Sequence, residues 1–325
     1  MSKILLIDGT NNFIRNYAVI PTMDNHGEPN GGVFGFLRTL GMIIRNLSPD
    51  RVIIVWDGPG GSQKRKEIMK EYKAGRKPIR LNRNFDWEMV DVDKNKIKQR
   101  YRLAEYLANI PVQQVVVDNV EADDVIAYLV KYFDEDEKFI ISNDKDFLQL
   151  VSDDTKIYKR GKEDWNLVGT KEVVEKWNIY PKNFALARAI VGDSSDNIKG
   201  INRIGMKTLM KLLPLFCEEE KVSLNQLFTV CEEEDKKDKT GKKYKRFLDA
   251  KELVINNLRM MQLSEPIIGP ASIQKIKMSI GKEIRFNATT FRVKLMEDGI
   301  TTLGDNFFNL FSYIYEKGKN DGTKV

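Results

Sequence analysis

An α/β chain, with a mostly parallel central sheet flanked by helices and a helical second half, follows from three observations. Runs rich in Val, Ile and Leu at 3–7, 51–56, 112–117 and 138–142 read as strands buried on both faces, as parallel strands are. Helical patterns near 33–46, 95–108 and 122–133 fall between them, the alternation of a sheet covered by helices. Beyond about Trp165 the strand signal fades, and 170–177, 181–191, 205–216 and 244–260 all read as helical. The expected organisation is a first domain over 1–180 and a helical second domain over 181–325. The charged, glycine-interrupted stretch 232–246 is expected as an exposed loop running into a helix.

Taken in chain order, the strands run out on acids. Asp8 follows KILLI, Asp57 follows RVIIVW, and Asp144 and Asp146 stand just past KFIIS. Glu121, Asp123 and Asp124 open the helix after the third strand, and Asp193 and Asp196 come later. The carboxyl ends of strands border the ligand crevice in open α/β sheets. Carboxylates converging there repel one another unless cations hold them, and an oxygen-only ligand set suits Mg²⁺ or Mn²⁺. A divalent pair is the usual apparatus for hydrolysing phosphodiesters, so a metal-dependent nuclease is the first expectation.

Composition removes competitors. The chain has 325 residues, 42% apolar and 31% charged, long enough for two domains with a proper core. No apolar run approaches the roughly 20 residues that span a bilayer, and MSKILLIDGT enters a strand with no cleavable signal pattern, so a cytoplasmic protein is expected. Cys217 and Cys231 make neither a zinc spacing nor a disulfide framework. His26, the single histidine, lies in the polar turn DNHGEPNGG and reads as solvated, which excludes a Ser-His triad and a His-based metal site.

The net charge of +6 is concentrated. Between Gln63 and Asn84 stand nine basic residues (Lys64, Arg65, Lys66, Lys70, Lys73, Arg76, Lys77, Arg80, Arg83) against Glu67 and Glu71, so that stretch carries +7 and the remainder about −1. It follows Asp57 through GPGG, beside the acids, and reads as a phosphate path.

In VEADDVIAYLVKYF the apolar stripe is Ile126, Leu129, Val130 and Phe133. Asp123 extends that inward face, while Glu121 and Asp124 share an edge. Acids at a helix start also complement its dipole, but that does not account for a carboxylate aimed at a sheet edge already carrying Asp8 and Asp57. Downstream, in IVGDSSDNIKGINRIGMKTLMKLL, Gly200 and Gly205 bracket a short turn followed by Lys207 and Thr208. Glycines let backbone approach a phosphate closely, so 197–212 reads as a helix-hairpin-helix gripping duplex backbone without reading bases.

The motifs LLIDGTNNFIRNYA, VWDG, EYKAGR, VEADDV, ISNDKDFLQL and GDSSDNIKGINRIGMKT stand in the order found in the 5′-nuclease (PIN-like) family, over roughly residues 3–212. The chain resembles flap endonucleases, the 5′ to 3′ exonuclease domain of bacterial DNA polymerase I and, in size and helical tail, the bacteriophage ribonuclease H enzymes that remove primers. With no polymerase-like continuation, a stand-alone nuclease is expected.

The resemblance implies that Asp8, Asp57, Glu121 and Asp123 surround one Mg²⁺, for which Mn²⁺ substitutes, and that Asp144, Asp146 and Asp193 surround a second, with Asp124 and Asp196 as supporting ligands. It makes Tyr72, Lys73 and Arg76 part of a helical arch near 60–90, with Lys73 approaching the scissile phosphate and Arg76 alongside. Nucleic acid would be met by Arg15, Lys64, Arg65, Tyr72, Lys73, Arg76, Gly200, Arg203, Gly205, Lys207 and Thr208. Arg203 stands where the family usually has glycine, which bears on the K⁺ site the family forms in that loop. The implied reaction is in-line hydrolysis leaving a 5′-phosphate and a 3′-hydroxyl, on DNA or an RNA–DNA hybrid with a 5′ end or flap. The implied partners are a single-stranded-DNA-binding protein and a sliding clamp, for a protein acting as a monomer. A non-catalytic binder of branched DNA would keep the basic segments without needing the full acid set. A receiver-like phosphotransfer domain would leave the second half unexplained.

Overall fold

The computed structural model describes residues 1–76, 85, 90–161, 163–238, 243–303 and 305–321. In chain order the elements begin β1 (Lys3–Asp8), α1 (Gly9–Val19), α2 (Gly31–Leu47), β2 (Arg51–Trp56) and α3 (Gln63–Ile68). They continue through α4 (Val92–Leu107), β3 (Gln113–Val116), α5 (Ala122–Tyr132), β4 (Glu137–Ile141), β5 (Thr155–Arg160) and β6 (Trp165–Val168). Next come α6 (Thr170–Trp177), α7 (Phe184–Val191), β7 (Gly192–Asp193), β8 (Ile198–Lys199) and α8 (Met206–Leu212). The last are α9 (Leu224–Lys237), α10 (Lys245–Asp249), α11 (Lys251–Met261), α12 (Pro270–Ile280), α13 (Ala288–Glu297) and α14 (Asp305–Asp321).

Two compact units result, neither continuous in sequence: 1–61 with 77–143 and 268–325, and 62–76 with 144–267. The expected boundary near 180 falls inside the second unit. Nor do residues 181–325 stay together, because 268–325 returns to the first unit. Sequence periodicity could not show this, since the return is made by side chains far apart in the chain. Phe291 meets Tyr106 of α4 edge to face, and Asp298 accepts from the Tyr106 hydroxyl at 2.7 Å and from Arg102 at 2.8 Å.

In the first unit the strands run in the order β3-β2-β1-β4, all parallel. Leu5, Leu6, Ile7, Ile53, Ile54 and Val55 are fully buried, which is why these strands read as unbroken apolar runs. Parallel pairing sets Asp8 opposite Val55, so the ends of β1 and β2 reach the same edge of the sheet. Gly58 is required just beyond that edge, because a Cβ there would stand 1.8 Å from the Val117 carbonyl oxygen.

The second unit differs from expectation in two places. Residues 155–160 and 165–168 form an antiparallel hairpin, β5–β6; the first of these strands was not among those read from the sequence, and the second lies where the strand signal was read as fading. The charged stretch from Glu232 is not a loop at its start: α9 runs to Lys237, begun by Ser223 and Gln226 in a capping box. Leu227, Phe228 and Cys231 bury one side of this helix, Glu232 and Glu233 are exposed and Glu234 and Asp235 half-buried, so a local charge count misread a helix as a loop. Residues 239–242 of that stretch lie outside the described residues, and its end runs into α10 at Lys245, as expected.

Candidate metal centre and nucleic-acid interface

The acids of the first unit are fixed by the backbone at the sheet edge. Asp8 caps α1, accepting from the Asn11 N–H at 3.0 Å, and its other oxygen accepts from the Ser142 hydroxyl at 3.0 Å. Asp57 accepts from the Ala122 N–H at 2.9 Å, which ties the end of β2 to the start of α5. Glu121 is the N-cap residue of α5, with Asp123 and Asp124 in its first turn.

The order of burial within α5 corrects the reading from its apolar stripe. Asp124 and Glu121 are the buried acids, at 2% and 3% exposure, while Asp123 is only half-buried. Val125 also joins the buried face, and Val130 is only half-buried. Periodicity assumes one covered side. Here the first turns are enclosed on both, since Ala127, well round the helix from Ile126, is fully buried as well.

In the second unit, Asp146, Asp193 and Asp196 each offer a carboxylate oxygen, and these atoms lie within 4.8 Å of one another. Among the described residues this is the one group of three acids close enough to share an ion. The set is all oxygen and its members are half-buried, which fits a hard divalent cation. Asp144, expected with Asp146 and Asp193, stands outside this group, and its Oδ1 accepts from the Asp146 N–H at 2.9 Å. Asp196, expected as a supporting ligand, is inside it.

Sequence reasoning missed Arg188. It lies on α7 in the run FALARAIV, among buried Leu186, Ala187, Ala189 and Ile190, and donates to Asp146 at 3.3 Å and also to Asp193. An arginine within a buried apolar helix was the available signal, because a buried charge needs a partner. Burial and the neighbouring Asp144 push the Asp146 carboxyl up to about 7, against the pull of Arg188. Burial also raises the Asp193 carboxyl, but the Ser195 hydroxyl and Arg188 outweigh it and leave that group below the usual carboxylate range.

The basic segment next to Asp57 divides. Arg65 is buried at 4% and donates from Nε to the Met260 carbonyl at 2.9 Å, while half-buried Lys64 donates to the Ile267 carbonyl at 3.1 Å. Tyr72 is buried at 3% in a cluster with Ile198, Met260 and Met261. Arg65 and Tyr72, expected to contact nucleic acid, are therefore packing residues. Their apolar stems and ring are covered by α11, which the charge pattern could not reveal. Lys77, Arg80 and Arg83 lie outside the described residues.

The end of the segment docks on the acid turn. Lys73 donates its N–H to the Asp196 carbonyl at 2.9 Å, Asn197 donates to the Glu71 carbonyl at 3.0 Å, and Arg76 donates to the Ser195 carbonyl at 3.3 Å and pairs with the Asp196 carboxylate. Lys73 and Arg76 thus belong to one cluster with Asp146, Asp193 and Asp196. Arg15, on α1 of the first unit, is half-buried.

On either side of this turn β7 and β8 form a two-residue antiparallel pair that leads into the hairpin. Gly200 is required, since a Cβ there would meet the Val191 carbonyl oxygen at 2.0 Å, whereas Gly205 has open space on that side. Arg203 adopts φ +59, the left-handed conformation that glycine takes at no steric cost. Arg203, Gly205, Lys207 and Thr208 are all exposed.

The parallel sheet with helices on its flanks and a helical remainder is the fold of the 5′-nucleases. The chain superposes on the bacteriophage T5 flap endonuclease, solved in complex with DNA and metal ions, with a TM-score of 0.61 over 98% of this chain and 99% of that one, at 19% identity. Residues 3–178 match the family described as 5′-3′ exonuclease, N-terminal resolvase-like domain. The 5′-3′ exonuclease of Mycoplasmopsis pulmonis is 32% identical over 286 residues, 87% of this chain and 88% of its own. That of Buchnera aphidicola is 31% identical over 220 residues, 66% of this chain and 70% of its own. The chain belongs to the 5′-3′ exonuclease family, and it is a nuclease, a phosphodiester hydrolase. No helix among the described residues is long and apolar enough to cross a membrane.

Proposed function

We propose that this nuclease is structure-specific and depends on divalent cations, Mg²⁺ with Mn²⁺ as substitute. Its substrate would be DNA or an RNA–DNA hybrid with a 5′ end or flap, of the kind left by RNA primers and strand displacement during replication. The observation that carries the reading is the group of Asp146, Asp193 and Asp196, three carboxylates within 4.8 Å of one another, with Lys73 and Arg76 bonded to the turn that bears Asp196.

An ion held by these three acids would supply Lewis acidity and lower the pKa of an attacking water. Asp144 orders the turn before Asp146, and Arg188 holds Asp146 and Asp193 toward one another. Asp8, Asp57, Glu121 and Asp123, with Asp124, are the proposed surroundings of another ion. Lys73 and Arg76 would stabilise charge developing on the scissile phosphate. Gly200 to Thr208 would hold duplex backbone, with Lys207 as a phosphate contact. Arg203 places a positive charge where the family binds K⁺, so that loop is proposed to meet phosphate through the arginine.

The test is cleavage of 5′-flap and RNA-primed duplexes with Mg²⁺, with EDTA, and after Mg²⁺ is restored. Mg²⁺-dependent release of the flap or primer, leaving a nick that DNA ligase seals, is the expected result. Cleavage undiminished by EDTA would refute metal dependence. Equal rates on flapped and unpaired strands would refute structure specificity.

A further inference from the structure

In the second unit, three lysines lie beside the metal acids and take no part in the chemistry described so far. Lys145 stands between Asp144 and Asp146, Lys159 is on β5, and Lys176 is in the last turn of α6. An indole ring gathers two of them: the ammonium groups of Lys145 and Lys176 each lie 5.7 Å from the centroid of Trp177. That ring is fixed in turn, meeting Phe184 edge to face with centroids 5.7 Å apart, and Phe184 begins α7, the helix whose Arg188 reaches Asp146. Lys159 is half-buried close by. Burial, and then the charges of Lys176 and Lys145, hold its ammonium below the ordinary lysine range.

The charge of this group is not neutralised. Among the described residues none of the three lysines has a carboxylate partner, whereas lysines elsewhere do: Lys96 meets Asp93, Lys275 meets Asp118 and Lys294 meets Glu105. The nearby acids are committed to other partners. On α6, Glu172 accepts from the Gly169 N–H at 2.8 Å and Glu175 faces Lys171 at 3.9 Å, and in the β5–β6 turn Asp164 accepts from the Trp165 N–H at 2.7 Å. A merely solvated face would spread its ammonium groups into water, where like charges repel least. Here two share a ring and the third is half-buried beside them, an arrangement that costs free energy until an anion bridges it. Compact ammonium charges suit phosphate, and the group begins at Lys145, within the loop that carries the metal acids.

We infer that Lys145, Lys159 and Lys176, held around Trp177, form a phosphate-binding surface that grips the backbone of the nucleic-acid substrate, a contact additional to the Lys73–Arg76 segment and the hairpin. The inference rests on the substrate being nucleic acid. The test is fluorescence anisotropy of a flapped duplex across a salt series in Ca²⁺, comparing Lys159→Met/Lys176→Gln with the wild type; Lys145 is spared because its neighbours are the metal acids. The double variant should bind about tenfold more weakly, with a salt dependence flatter by about two units of slope. Lys159→Met alone should melt at the wild-type temperature or above, because it removes a repelled charge and keeps the stem, whereas loss of a merely structural lysine would lower it. Lys176→Glu, at an exposed position, should weaken binding in the same direction and serves if the double variant does not fold. Neutral methylphosphonate linkages, placed one at a time along the substrate, should weaken the wild type at the contacted phosphates and leave the double variant unaffected there. Unchanged affinity and slope in the double variant, while Lys207→Glu lowers affinity, would overturn this inference and leave the substrate reading standing. Failure of the wild type to bind the flapped duplex would overturn both. Saturable binding of inorganic phosphate that the double variant loses, with flap affinity unaltered, would assign the lysines to a free anion and overturn it as well.

Discussion

At Asp146 burial and the carboxylate of Asp144 favour a proton, while Arg188 favours the charge, and the residue titrates near 7 rather than near 4. A divalent ion bound here, as proposed, would replace the proton, so neutralising Asp146 or Asp193 should remove cleavage and spare binding. Asp146→Asn is expected to bind a flapped duplex in Ca²⁺ as the wild type does, and a wild-type cleavage rate at limiting Mg²⁺ would contradict the assignment. Lys73 and Tyr72 are neighbours with different work. Lys73→Ala should slow single-turnover cleavage by roughly one to three decades at saturating protein, as when one preorganised charge stabiliser is lost. Tyr72→Ala should instead lower unfolding stability by about 3 kcal/mol, because it empties the space against Ile198, Met260 and Met261. Denaturant unfolding beside single-turnover kinetics separates the two. An unchanged rate at saturation in Lys73→Ala would make that lysine an ordinary phosphate contact.

The hairpin from Gly192 to Leu212 offers a paired test at the scale of an element. A methyl group at Gly200 collides with the Val191 carbonyl, so Gly200→Ala should cost on the order of 2–3 kcal/mol. A methyl group at Gly205 meets nothing, so Gly205→Ala should fold normally and lose affinity for duplex arms if a phosphate approaches that backbone. Unaltered duplex affinity in Gly205→Ala would show that the turn does not touch DNA. Lys207→Glu, at an exposed position of α8, should weaken junctions with a duplex arm and flatten the salt dependence by about one unit of slope. Short single-stranded 5′ ends should hardly respond. Anisotropy titrations across a salt series in Ca²⁺ read both effects, and equal weakening on the two substrates would remove the duplex assignment.

For the whole molecule, the raised Asp146 sets a pH dependence of known sign. Its folded-state pKa lies above the unfolded value, so the folded chain holds the extra proton and this group's contribution to stability is lost as pH rises from about 4 to about 7. A bound divalent ion removes that loss. The rise in melting temperature on adding Ca²⁺ should therefore be larger at pH 8 than at pH 5.5, and ion binding should release protons. Arg188→Ala should destabilise the ion-free protein, since it leaves two half-buried carboxylates without their internal cation, and should enlarge the stabilisation by Ca²⁺. A smaller Ca²⁺ effect at pH 8, or in Arg188→Ala, would mean the ion binds elsewhere.

The four parallel strands, the helices α2, α4 and α5 and the acids at the strand ends were legible in the sequence, whereas α1 was not read. Buried strands must be continuous apolar runs, and a carboxylate at the end of such a run has little other reason to be there. The six ordered motifs carried the family, whereas Gly200, read as letting backbone approach a phosphate, is required in the structure by its close approach to the Val191 carbonyl. What required the tertiary structure was every partnership across long sequence separations. Arg65 and Tyr72 read as phosphate contacts until α11 was seen to cover them. Asp124 read as an edge residue until both sides of α5 proved enclosed. Arg188 became a partner of two acids only when α7 met the turns bearing Asp146 and Asp193. Local patterns report one face of one element. Which charge is buried, which acid meets which base, and that 268–325 packs back on the first unit all depend on contacts between residues far apart in the chain, which no period in the sequence records.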